Sequence, residues 1–150
     1  NRAWDAGLVV VVAAGNNGPR TMSITTPGIS RKVITVGCSD DDREVLVGGN
    51  RMVDYSGRGP TAACICKPDL VAPGCSVVSC SSRADKYTIK SGTSMSTPIV
   101  SGAVALLLER FPDMSNKDVK LRLRESSVDI GLPRNQQGWG LLDVGKMLER

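Results

Sequence analysis

The sequence predicts an α/β fold in which a mainly parallel sheet is flanked by helices. Three observations carry this expectation. Leu8–Ala14 and Lys32–Cys38 are apolar runs rich in Val and Ile, each closed by loop-forming residues, as strands buried on both faces require. Thr93–Arg110 shows an apolar face at helical spacing through Val100, Ala103, Val104, Leu107 and Leu108. Aromatic residues are few (Trp4, Tyr55, Tyr87, Phe111 and Trp139), so aliphatic side chains must supply most of the core.

In chain order, Asn1–Gly7 has the form of the last turns of a helix closed by Gly7, so the sequence is expected to open inside a larger domain. The strand Leu8–Ala14 then delivers Gly15 and Asn16 into a loop. Pro27 and Gly28 mark the crossover to the second strand, which ends in the acidic turn Asp40–Asp42, expected to be solvated. Val45–Tyr55 carries two short β-prone pieces around Gly48, Gly49 and Asn50, and Ser56–Pro60 is a turn. Leu70–Ala72 and Val77–Cys80 are short strands separated by Pro73 and Gly74, and Lys86–Lys90 alternates as a further strand.

That strand leads into the helix at 93–110. Pro98 sits early in it, where a missing N–H costs least, and the small residues Ser96, Ser101, Gly102 and Ala105 suit close packing. Ser115 and Asp118 form a capping-box pattern opening a helix to about Ser126, and Asp143 is placed to cap a last helix running to Arg150.

Nineteen basic and fifteen acidic residues give a net charge of +4, and Lys117, Lys120, Arg122 and Arg124 are expected on solvated helix faces. Nucleic acid is therefore not an expected partner. No run approaches the length of a membrane span. The five cysteines are an odd number without a secreted-scaffold spacing, which favours a reducing compartment. Cys64 and Cys66 resemble half a zinc clip, but no second pair and no histidine accompany them, so neither a metal nor a cofactor is expected.

The chemistry concentrates in Ser91-Gly92-Thr93-Ser94-Met95-Ser96-Thr97-Pro98, a strand-to-helix junction that places the Ser94 hydroxyl near the positive end of a long helix. Read alone, Ser94 would be a helix cap and Asn16, followed by Asn17 and Gly18, a turn residue. The octet, however, resembles the nucleophile motif of the subtilase family. Three further strings follow the family's order: Ala13 to Asn16, Tyr55 to Pro60, and Lys67 to Gly74. The resemblance covers nearly all 150 residues. Four ordered matches argue against the remaining reading, an unrelated structural α/β module with chance motifs.

The resemblance implies the C-terminal part of a subtilisin-like three-layer catalytic domain, spanning 1–150, and a serine endopeptidase acting on peptide or protein substrates. Ser94 is implied as nucleophile and Asn16 as a side-chain donor to the oxyanion, beside the backbone N–H of Ser94. Ala13, Ala14 and Gly15 are implied as one wall of the substrate pocket, with Gly92 also on the substrate side. Met95, whose ordinary role is packing, could be oxidised to a sulfoxide beside the nucleophile.

The serine mechanism also needs an imidazole base, and the sequence has no histidine. The family's order is Asp, His, Asn donor, Ser, so the expected reading is a portion lacking the Asp and His, inactive by itself. Its partners are then the missing N-terminal half or a second copy, paired through the strand edge at 8–14. The alternative is a non-catalytic homologue that binds peptides or regulates another protease. The family is mainly secreted whereas the cysteines favour a reducing compartment, which leaves localisation open.

Overall fold

A computed structural model of the chain describes residues 1–82 and 86–149. A short helix α1 (Arg2–Asp5) precedes strand β1 (Val11–Ala13), then β2 (Ile34–Cys38) and the hairpin β3 (Val45–Val47) and β4 (Asn50–Met52). Strand β5 (Leu70–Ala72) and the hairpin β6 (Val77–Cys80) and β7 (Tyr87–Lys90) lead to the long helix α2 (Thr93–Arg110). Three further helices follow, α3 (Asn116–Ser126), α4 (Arg134–Gln137) and α5 (Val144–Leu148).

The central sheet is parallel, in the order β1-β2-β5. Val11 is in register with Ile34 and Ala13 with Val36, while on the other side Val36 faces Leu70 and Cys38 faces Ala72. The middle strand β2 is buried at every position, which explains its unbroken apolar sequence. β1 forms one edge. Backbone pairing extends beyond it at both ends, since Ile34 N–H donates to Val10 O and Ala14 N–H to Val36 O, each at 2.8 Å. The loop ending at Ala14 is thereby fixed against the sheet.

Helix α2 packs across the sheet. Val100, Ala103, Val104 and Leu107 meet Ile34, Val36, Leu70 and Ala72 in one cluster, which Val119, Leu123 and Met147 extend from α3 and α5. The buried amide of Asn116 donates to Trp4 O at 2.7 Å and Leu8 O at 3.1 Å, tying α1 to the start of α3. Both sequence-predicted caps are present. Ser115 and Asp118 form the reciprocal capping box, and Asp143 accepts Lys146 N–H. The last helix ends at Leu148, and Arg150 lies outside the described residues.

Several expectations are corrected. The turn after β2 is not solvated throughout: Asp41 is buried and accepts Ser56 N–H at 2.7 Å, and Asp40 is half-buried, leaving Asp42 exposed. Burial raises the Asp41 carboxyl above the ordinary carboxylate value, against the lowering effect of the Ser56 bond. Lys120 is not on a solvated face. Its ammonium donates to the carbonyls of Arg31, Lys32 and Val33 at 2.9, 3.1 and 2.8 Å and lies 3.5 Å from Asp69, which also accepts from the buried Lys67 at 2.5 Å. Arg122 likewise donates to Met147 O. On α2 only Ser96 of the small residues is buried; Ser101, Gly102 and Ala105 are exposed, and a Cβ on Gly102 would meet nothing within 4 Å.

Candidate functional site

Ser94 lies at the second position of α2 and its side chain is exposed. It is not the cap of that helix. Gly92 occupies the cap position and supplies no side-chain bond, so the first N–H groups of α2 need partners from elsewhere. One comes from Asn16, 77 residues earlier in the chain: its Oδ1 accepts Thr93 N–H at 3.0 Å and the Thr93 hydroxyl, also at 3.0 Å. The hydroxyl in turn accepts Gly15 N–H at 3.2 Å.

This network fixes the orientation of the Asn16 amide. With Oδ1 holding two donors, the NH2 group is the side of the amide left to donate outward. It sits beside Gly92, where a Cβ would lie 3.3 Å from Nδ2. Gly92 has φ +137°, a conformation that favours glycine. The strand-to-helix turn therefore brings together an exposed hydroxyl, the first-turn N–H of Ser94 and an oriented amide.

The loop carrying Asn16 is clamped from three sides. Ala14 is fully buried, and its carbonyl accepts Thr25 N–H at 2.9 Å. Gly15 O accepts Gly57 N–H at 2.8 Å, and Gly18 N–H donates to Tyr55 O at 2.9 Å. Gly57 is required there, because a Cβ would lie 2.7 Å from Ala14 O. The second, Tyr55-to-Pro60 string thus buttresses the first. Ala13 and Gly15 are half-buried at the end of β1, with small or absent side chains. Such an assembly can bind and polarise a carbonyl and present a hydroxyl to it.

A model of the Peptidase S8 subtilase family matches residues 1–140. The chain belongs to the subtilase family. Among similar subtilases, the serine protease AprX of Bacillus subtilis is 42% identical, over 83% of this chain and 31% of AprX. Halolysin of Haloferax mediterranei is 36% identical over 91% of this chain and 23% of its own length, and subtilisin DY of Bacillus licheniformis 34% over 96% and 48%. The chain thus spans less than half the length of each of these subtilases. Two solved structures share the fold. The prenylagaramide maturation protease PagA superimposes with a TM-score of 0.74 at 23% identity, covering 97% of this chain and 51% of PagA. The self-cleaved protease domain of PatA gives 0.73 at 25% identity, covering 98% and 51%.

The six residues singled out in the sequence lie at the carboxyl end of β1 and at the start of α2. Sequence reasoning passed over Thr93. The signal was present, since Thr93 stands directly before Ser94 and its hydroxyl can both donate and accept. Gly57 stood inside the Tyr55-to-Pro60 string without its role being read, and Thr25 carries no comparable signal, because its role depends on loops that meet only in the fold.

Proposed function

We propose that this subtilase chain carries the acyl-transfer part of a serine endopeptidase site. Ser94 Oγ attacks the carbonyl carbon of a peptide bond, and its proton passes to a base. The oxyanion that forms is held by the Ser94 N–H and the Asn16 NH2. Collapse expels the amine, which takes up the proton, and leaves an acyl-enzyme ester on Ser94 that water then hydrolyses. Ala13 and Gly15 form one wall for the substrate side chain with the fully buried Ala14 behind them, and Gly92 leaves the space beside the amide clear.

The observation that carries this reading is the double hydrogen bond from Thr93 to Asn16 Oδ1, which turns the amide donor towards the Ser94 turn before any substrate arrives. Preorganisation of that kind is what makes an oxyanion donor effective.

The base is not among these 150 residues, which hold no histidine. The proposal therefore assigns the proton-transfer part to a segment outside them, and these residues alone to an inactive state. The edge of β1 is where such a segment, or a second copy, would pair. Leu8, Val9, Val10 and Val11 line a groove there with Ser101 and Val104 of α2, and Leu8 is exposed.

The test is fluorophosphonate labelling of the protein expressed from its complete reading frame, compared with Ser94→Ala, alongside peptide hydrolysis by residues 1–150 alone. Labelling that is lost in the variant, with no turnover by the isolated chain, is expected. A folded complete protein that never labels would assign a peptide-binding homologue instead.

A further inference from the structure

Away from Ser94 and Asn16, one group of potential metal-ligating atoms is already assembled among the described residues. Cys38 Sγ, Cys75 Sγ and a carboxylate oxygen of Asp40 all lie within 4.8 Å of one another. The fold brings them together: Cys38 ends β2, Asp40 is in the turn after it, and Cys75 follows the neighbouring strand β5 across Pro73 and Gly74. Asp40 Oδ1 accepts the Gly74 and Cys75 N–H groups at 2.7 and 3.1 Å and the Cys38 thiol at 3.1 Å. The Tyr55 hydroxyl lies 3.2 Å from each sulfur.

A separate feature points to the same place. Ser96 is fully buried, yet its hydroxyl has no hydrogen-bond partner among the described residues. It borders the cluster, because a Cβ built on Gly74 would collide with both Ser96 Oγ and Cys38 Sγ. A buried hydroxyl left without a partner beside the Cys38 thiol is a polar group that a bound ion or its water would satisfy.

We propose that Cys38, Cys75 and Asp40 bind one thiophilic divalent cation of the Zn2+ type. Two sulfur donors select such an ion over Ca2+ or Mg2+, which take oxygen ligands. Tetrahedral coordination with Zn–S about 2.3 Å sets sulfur donors roughly 3.8 Å apart, so the cluster needs to contract by about 1 Å at most. Both thiols lose their protons on binding. Because binding releases those protons, affinity falls as pH is lowered. The Tyr55 hydroxyl can then donate to a thiolate.

The test uses the protein from its complete reading frame, with the exposed Cys64, Cys66 and Cys80 changed to Ser, kept reduced and titrated with Zn2+ and Cd2+. Expected are about one more equivalent bound than by a Cys38→Ser/Cys75→Ser variant, a thiolate-to-Cd2+ charge-transfer band, proton release and a raised Tm. Asp40→Asn should weaken binding at least about 10-fold. Where the cysteine variants do not fold, protection of Cys38 and Cys75 from alkylation by bound Zn2+, mapped by mass spectrometry, decides the matter. Absence of protection, binding that survives loss of both cysteines, or a Cys38–Cys75 disulfide under the same reducing conditions overturns the proposal.

Discussion

Replacing Thr93 by Val tests whether the oxyanion donor depends on the network that orients it. Valine keeps the shape of this fully buried side chain but removes a hydroxyl that donates to Asn16 Oδ1 at 3.0 Å and accepts Gly15 N–H at 3.2 Å. Each bond contributes about 0.5–1.5 kcal/mol, and the stranded Gly15 N–H costs about 1–3 kcal/mol more if water cannot reach it. A stability loss of about 2 kcal/mol is expected. The Asn16 amide keeps one of its two restraints, the Thr93 N–H at 3.0 Å.

In subtilisin itself, losing the equivalent amide donor costs about 100- to 1,000-fold in turnover, which bounds the effect from above. Weakening the restraint without removing the donor should cost about 1.4 kcal/mol in the transition state, or roughly tenfold. The assay is the second-order rate of fluorophosphonate labelling, with kcat and KM on a peptide amide, in the complete protein. The loss should fall on kcat. In an Asn16→Ala background Thr93→Val should cost little further, because both changes act on one donor, and Thr93→Ser should restore most of the rate. Full additivity of the two substitutions would refute the positioning role.

Three other outcomes follow from the same geometry. Gly92→Ala forces a side chain into φ +137° and 3.3 Å from Asn16 Nδ2, so labelling should slow and stability fall by about 1–3 kcal/mol, measured by urea unfolding. Asp69→Ala strands the buried Lys67 ammonium and should cost about 3–5 kcal/mol, whereas Lys67→Met leaves Asp69 with Lys120 at 3.5 Å and should cost less; equal losses would contradict this division. Burial pushes the Lys120 ammonium down to about 8, against the raising effect of Asp69. A folded value below the unfolded one means that the unfolded chain binds more protons between the two, so stability should rise from pH 8 towards the ordinary lysine value, by on the order of 2 kcal/mol. Lys120→Met should flatten that rise in pH-dependent unfolding.

Much of the architecture is legible because it is written in local patterns. The apolar run of β2 and the 3.6-residue rhythm of α2 each need only a window of sequence, and so do the Ser115–Asp118 and Asp143 caps. What local reading misses is polar burial created by distant partners. Asp41 sits in a run of three aspartates that looks solvated, and only the Ser56 N–H explains its place. Lys120 lies among charged residues of α3, but the carbonyls it caps are almost ninety positions away. Helical periodicity shows which residues face inwards, but it cannot show that a lysine will be needed there to satisfy backbone carbonyls.

The candidate site shows the same division in a sharper form. The residues that would touch a substrate carbonyl were marked by motif, yet the physical reason that they work together is a bond between two motifs 77 positions apart. Asn16 substitutes for the side-chain cap that Gly92 cannot provide, and this single arrangement has two effects. It satisfies a helix N–H that burial would otherwise leave unpaired, and it aims the remaining amide protons outward. Folding and donor orientation are thus served by the same hydrogen bond. On the proposed reading the proton acceptor depends on none of these contacts, so a base supplied by another segment would complete a site whose donor is already oriented here.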